Sequence, residues 1–224
     1  MQPQILFEDN HLLVINKPAG MLAQGDNTKD LSVLEILKNT IKTRDKKPGK
    51  VYLGLVHRLD RPTSGVMVLA KTSKALSRLN KQFIQKTTSK IYWAIISGVV
   101  TNTPTKLSHF LVRNQSQNKS YAHRKKVPNS KFSELIYYVK LELERYTLLE
   151  IELLTGRHHQ IRAQLCREGI TIKGDLKYGA KRPNKDSSIH LHARKQAIRQ
   201  PTTKELISFT APPPKDPLWN AVVD

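Results

Sequence analysis

Two polar segments hold the residue types on which chemistry could rest. The first is His57-Arg58-Leu59-Asp60-Arg61-Pro62-Thr63-Ser64-Gly65, set between apolar runs at 51–56 and 66–70. A loop held from both ends by core strands can aim its side chains. Its one carboxylate, Asp60, has Arg61 beside it and Arg58 two residues before. Such a carboxylate can serve as nucleophile or base. The commoner role of an Asp in such a loop is a structural Asx turn, and Thr63, Ser64 and Gly65 also suit a tight turn. The second segment is Thr155-Gly156-Arg157-His158-His159-Gln160-Ile161-Arg162. It opens a predicted helix, from Thr155 or Gly156 to near Gly169, with Ile161 and Leu165 inward at i, i+4. Arg162 follows Ile161, so its guanidinium can lie at the core edge, where a cation needs an anion. On spacing alone a solvent-facing arginine is the commoner case.

Other chemistries find less support. Neighbours on a helix diverge by about 100°, so His158 and His159 do not suit one metal ion. His190 and His192 can share a strand face, but no third ligand is evident, and structural histidines are commoner. No phosphate loop or dinucleotide glycine triplet occurs, so nothing points to ATP, NAD or flavin, and no cofactor is expected. Tyr92 stands in an otherwise apolar strand. A buried, hydroxyl-bonded tyrosine is the ordinary reading, and a face for a nucleobase the sharper one.

The elements around these segments read as strands with a few helices between. Residues 4–16 form a predicted hairpin about Asp9-Asn10. Leu31, Leu34, Leu37 and Ile41 share a helical face. The basic stretch 42–50 reads as a loop, and 51–56 and 66–70 as strands. Ser73 is placed as the cap of a helix to about Lys86, with Leu76, Leu79 and Phe83 inward. Residues 91–99 read as a doubly buried strand. Residues 113–131 hold six Lys/Arg and no acid and read as a polar excursion outside the core. Residues 135–143 and 146–154 form a hairpin about Glu144-Arg145. The tail 209–217, with four prolines, reads as an extended strap. No repeat or linker is found, so an α+β fold, one domain over 1–224, is expected.

With 38 Lys+Arg against 18 Asp+Glu, the net charge is +20 over 224 residues. So basic a chain ordinarily meets a polyanion, nucleic acid above all. A solvated basic surface or an acidic membrane is the duller alternative. The single cysteine, Cys166, excludes an internal disulfide and a thiolate zinc site. No signal peptide or membrane span is read, so the cytosol is the default.

Together these pieces resemble the RluA-type RNA pseudouridine synthase family. The match runs from Phe7 to Gly20, through His57–Lys71 and Lys90-Ile91-Tyr92-Trp93-Ala94. It continues with 154–165, Gly174-Asp175, Tyr178-Gly179 and Leu191-His192-Ala193, and ends at 209–214. The resemblance implies one α+β domain with a long, mostly antiparallel sheet crossed by a cleft. It puts Asp60 on the essential aspartate, Arg162 on the arginine that pairs with it, and Tyr92 on the tyrosine that packs on the uracil. Arg58 falls on the arginine that fills the space of the flipped nucleotide. Uridine in rRNA or tRNA would become pseudouridine without a cofactor. For Asp60 the resemblance leaves open attack on C1′, attack on the base, or removal of the 2′ proton. RNA contacts are expected from His57, Arg58, Arg61, Thr63, Lys71, Arg157, His159 and Gln160, and from Arg124, Lys125 and Lys126 in the basic stretch. Many members add an N-terminal RNA-binding domain. Here the catalytic motif starts almost at Met1, so that domain is expected to be absent, leaving a monomer that selects a short RNA stem-loop. A catalytically silent RNA binder and a metal-dependent hydrolase on His190 and His192 are the rivals.

Overall fold

In the computed structural model, which describes residues 2–26, 30–101 and 103–222, the first turn forms at Asp9-Asn10. The Asp9 carboxylate accepts from the backbone N–H groups of His11 and Leu12, both at 2.6 Å, as an Asx turn does. This turn joins β1 (Gln4–Glu8) to β2 (Leu12–Lys17). There follow α1 (Val33–Arg44), β3 (Gly54–Leu55), β4 (Ser64–Ala70), α2 (Ser73–Ile84) and β5 (Ser89–Ser97). Next come β6 (Thr105–Asn114), β7 (Lys119–His123), β8 (Lys131–Glu142) and β9 (Tyr146–Leu153). The chain continues with α3 (Gln160–Arg167), a 3-10 turn (Leu176–Tyr178), β10 (Leu191–Arg199), β11 (Leu206–Thr210) and α4 (Pro217–Asn220). This is the α+β class that the patterning implies. Two compact units divide the chain, one of residues 1–88 and 193–214, the other of 89–192 and 215–224. The outermost ends of the expected 1–224 domain, Met1 and residues 223–224, lie outside the described residues.

In the first unit β2 pairs antiparallel with both β1 and β4, β3 also pairs with β4, and β11 pairs with β10. Every residue of β4 is buried, which is why 66–70 is apolar without alternation. Leu12 and Val14 pack with Val66, Val68, Ala75, Leu79 and Ile198. The cap of α2 is Thr72, not Ser73: its hydroxyl accepts from Ala75 N at 3.1 Å. Ala75 and Leu79 are buried, and Leu76 and Phe83, half-buried, pack against the same core. Ser32 caps α1 in a reciprocal box with Glu35, so Leu31 falls before the helix and is exposed rather than inward. The 42–50 loop begins only at Asp45, because α1 runs to Arg44. Of 51–56, only Gly54 and Leu55 form a strand.

Ser64 and Gly65 belong to β4 rather than to the loop before it. Gly65 has φ +118°, and a Cβ there would sit 2.3 Å from the Ala193 carbonyl oxygen. Only glycine meets both demands. Gly65→Ala is expected to lower the unfolding free energy, read from denaturant midpoints, by more than the ~1–3 kcal/mol of backbone strain alone; a midpoint equal to the parent's would show that β4 can shift aside.

In the second unit β5 pairs with β9, β9 with β8, β8 with β6 and β6 with β7, all antiparallel. Residues 93–96 of β5 are all buried, but the expected 91–99 strand ends at Ser97, itself exposed, and Val99 is exposed beyond it. Ile161 and Leu165 of α3 pack into a core with Ala94, Ile96, Leu135, Leu149 and Ile151. The helix starts at Gln160, not Thr155, since His159 has φ 53°, in the left-handed region. Residues 113–131 are not wholly a polar excursion. They supply β7, whose Ser120 and Ala122 are buried, because a strand beside β6 puts alternate residues inward. The 144–145 turn joins β8 to β9 as expected. The tail is a strap over 211–215, but Phe209 and Thr210 lie in β11, and Asp216 caps α4 through Leu218 N and Trp219 N. Among the described residues no helix is long and apolar enough to cross a membrane.

Candidate active site

Asp60 lies half-buried in the loop between β3 and β4. Its carbonyl accepts from Thr63 N at 3.0 Å, and the next carbonyl, that of Arg61, accepts from Gly20 N at 2.8 Å. Under this loop sits Lys17, fully buried at the end of β2. Its ammonium donates to the carbonyls of Pro18, Met21 and Arg61 at 3.0, 2.8 and 3.3 Å, joining segment 17–21 to the Asp60 loop. Burial pushes the Lys17 amine down to about 7, against the opposing pull of the Asp60 charge. Sequence reasoning places Lys17 only at the break that follows the 4–16 hairpin, within the Phe7–Gly20 likeness. A lysine at the close of an apolar strand was the available signal, but the acceptor that ties it to the Asp60 loop, Arg61 O, lies 44 residues away.

The sign of the Lys17 contribution follows from proton counts. Between about 7 and 10.5 the unfolded amine keeps a proton that the folded one has lost. Stability therefore rises with pH across that window. Lys17→Met is expected to be less stable overall, having lost three hydrogen bonds, but to lack this rise. Urea midpoints along a pH series read the slope, and an equal slope in both proteins would count against the assignment.

In the second unit, Arg162 is 5% exposed and Asp175 1% exposed. The guanidinium grips the carboxylate through Nε to Oδ2 at 2.7 Å and Nη2 to Oδ1 at 2.8 Å, a two-bond geometry that only arginine provides. Its planar end lies 4.9 Å from the Tyr178 ring centre. The core-edge position read from sequence is thus correct, and Asp175 is an anion beside it. Tyr178 orders a further set: its hydroxyl donates to Ser120 O and accepts from Ser120 N and His159 Nδ1. Burial first, and then the Arg162 charge, push His159 down to about 2, so the ring is neutral and its Nδ1 carries the proton. Asp175 and Tyr178 carried only family likeness in the sequence; their Gly-Asp and Tyr-Gly pairings were the signal. Tyr92, in β5 opposite Ile151, is half-buried and packs against the α3 core.

The remaining candidates divide by environment. Arg58, Lys125 and Lys126 are exposed. Arg61 is exposed but spans Gly20 O and the Asp30 carboxylate. Arg157 reaches Phe132 O, and Arg124 reaches Glu168. Others have structural tasks. His57 Nε2 accepts from Val68 N at 3.0 Å and its ring stacks on Phe83. Lys71 joins Arg44 on Glu8, whose carboxyl the Arg44 guanidinium holds down at about 2. Gln160 ties Thr155 Oγ1 and Arg157 N to Glu134 O. Thr63 Oγ1 is buried with no hydrogen-bond partner among the described residues, a condition that in folded proteins calls for a reason. His158 and His159 do not diverge: outside any helix, their rings stack 3.8 Å apart. His190 and His192 instead pack on Trp219, and no group of three possible ligands gathers among the described residues.

Residues 11–166 match the family model for RNA pseudouridylate synthase. The chain belongs to the RNA pseudouridylate synthase family. That stretch holds Asp60, Tyr92 and Arg162; Asp175 and Tyr178 lie beyond it. Ribosomal large subunit pseudouridine synthase C of Vibrio vulnificus is 33% identical over 218 residues, 95% of this chain and 66% of that protein. Its counterpart in Buchnera aphidicola subsp. Schizaphis graminum is 35% identical over 217 residues, 93% of this chain and 66% of its own. The chain thus spans just under two thirds of these relatives' length. Among solved structures, human RNA pseudouridylate synthase domain containing 4 superposes with a TM-score of 0.79 at 26% identity, covering 95% of this synthase-family chain and 89% of its own.

Proposed function

We propose that the protein isomerises uridine in RNA to pseudouridine, with Asp60 as the reacting carboxylate. The reading rests on one observation above others. Asp60 stands in a loop whose backbone is bonded at Asp60 O and Arg61 O and underpinned by a buried ammonium, so the carboxylate is presented rather than left mobile. Family membership supports it, as does the unpaired Thr63 hydroxyl three residues on.

The N1–C1′ bond breaks, the uracil turns and C5 bonds to C1′. C5 then loses its proton to solvent, and N1 gains one. No electron is gained or lost, and no energy input is required. Asp60 acts by attacking sugar or base, or by taking the 2′ proton. Reaching that bond requires the nucleotide to leave its stack, at a few kcal/mol. Stacking on the Tyr92 ring would return about 1–3 kcal/mol of this, Arg58 would fill the vacated space, and Arg162 completes the set. The relatives' names favour large-subunit ribosomal RNA as substrate. A stem-loop target, a working monomer, one catalytic domain over 1–224 and a cytosolic setting belong to the same reading.

RNA tritiated at uracil C5 tests it with chelator present. Tritium release to water is the expected result. Binding without release would instead make the protein a silent RNA binder, and strand or ester hydrolysis abolished by chelator would make it a metal enzyme.

A further inference from the structure

The second unit contains a cavity of about 1100 Å³ whose walls include Lys173, Lys181, Arg182 and Lys185. None of these four cations forms an ion pair with a carboxylate among the described residues. The two acids on the lining stay charged but form no ion pair with these cations, so four cations face two carboxylates. Asp186 accepts from Ser188 N and Oγ at 3.1 and 2.6 Å. Asp216 caps α4 and faces His190 Nε2 at 3.4 Å.

The floor is an ordered network. Asn184 accepts from Lys173 Nζ at 2.7 Å, and its amide donates to Ser188 Oγ at 3.2 Å and His190 Nδ1 at 2.9 Å. His190 is buried and stacks on Trp219 at 5.4 Å between ring centres. Gly174, at φ +87°, makes room for this network, since a Cβ there would come within 2.7 Å of the Asn184 side chain. The Lys173 ammonium is thereby fixed in place, with donor capacity left over.

We propose that this cavity is an RNA-anchoring site that holds a stretch of phosphodiester backbone. The inference rests on the reading of the protein as an enzyme acting on RNA. An excess of cations around a concave wall focuses potential and attracts polyanions. The volume exceeds the ~300–1,000 Å³ of ordinary small-molecule clefts, so a chain segment fits it better than one phosphate ion. The site contributes affinity, not chemistry, because nothing on its lining is needed to break or form the glycosidic bond.

The test compares the parent with Lys181→Ala/Arg182→Ala/Lys185→Ala, three exposed positions whose loss leaves the core intact. Affinity for a labelled oligouridylate is measured along a salt series, and single-turnover tritium release at saturating ribosomal RNA. The variant is expected to bind at least about tenfold more weakly at low salt. Its plot of log K against log salt should be shallower by about 2, from three phosphate contacts at ~0.7 each. The release rate constant should be unchanged. Equal slopes and affinities in the two proteins would overturn the proposal, as would a free-phosphate site, seen as a phosphate-induced change in Trp219 emission with no effect of the variant on RNA. Failure of the parent to release tritium would sink the isomerase reading instead, while the salt slopes would still report on this cavity.

Discussion

Asp60→Asn is expected to lower tritium release by at least about 10²-fold, the lower range for loss of a positioned acid–base group, with RNA affinity and melting temperature close to the parent's. Asparagine has nearly the shape of aspartate but is neither base nor nucleophile. Two bonds that fix the loop run through backbone atoms, from Thr63 N to Asp60 O and from Gly20 N to Arg61 O, and they survive the change. Its visible side effect falls on Lys17. The Asp60 charge holds that buried amine up against desolvation, so removing it should move the Lys17 titration further down, and the pH window of rising stability should begin lower. Release near the parent rate would remove Asp60 from the chemistry. Lost affinity alongside lost turnover would point to a binding role, and a large fall in melting temperature to a structural one.

The parts of this design legible in sequence are those written locally. The Asp9 turn, the inward Leu37 and Ile41 of α1 and the unbroken apolar β4 follow from side-chain chemistry or pattern within a few residues. The start of α3 does not. The stretch after Gly156 reads as helix until His159 takes a left-handed conformation, and what holds it there is a hydrogen bond to Tyr178, 19 residues away. The same limit hides β7, a strand only because β6 pairs with it and Tyr178 bonds Ser120. Of the candidate site, Asp60, Tyr92 and Arg162 came from motif likeness. The buried Lys17 and the bidentate Asp175 came from coordinates, because each is defined by a partner far along the chain, Arg61 O and Arg162. His57, Lys71 and Gln160 show the converse: polar residues in motifs that the structure uses to brace its own backbone.

Arg162 and Asp175 allow structure and chemistry to be separated. Asp175→Ala leaves a guanidinium buried at 5% exposure without its carboxylate. It is expected to cost about 3–5 kcal/mol, which in a protein of this size lowers Tm by roughly 6–20 °C. Arg162→Met should cost a similar amount by stranding the carboxylate, and should also weaken the Tyr178 contact at 4.9 Å. The double variant Arg162→Met/Asp175→Leu removes both charges and refills the space with apolar groups. Exchanges of buried ion pairs of this kind are often neutral or stabilising, so its Tm should recover most of the loss. Turnover should not recover if the guanidinium also serves the reaction. A recovered Tm with tritium release still down by about 10²-fold or more would place Arg162 in the catalytic set. Recovery of both would make the pair a brace for α3 and the 174–178 turn and nothing else. Catalysis would then rest on Asp60 with one fewer cation than the family likeness assigns it.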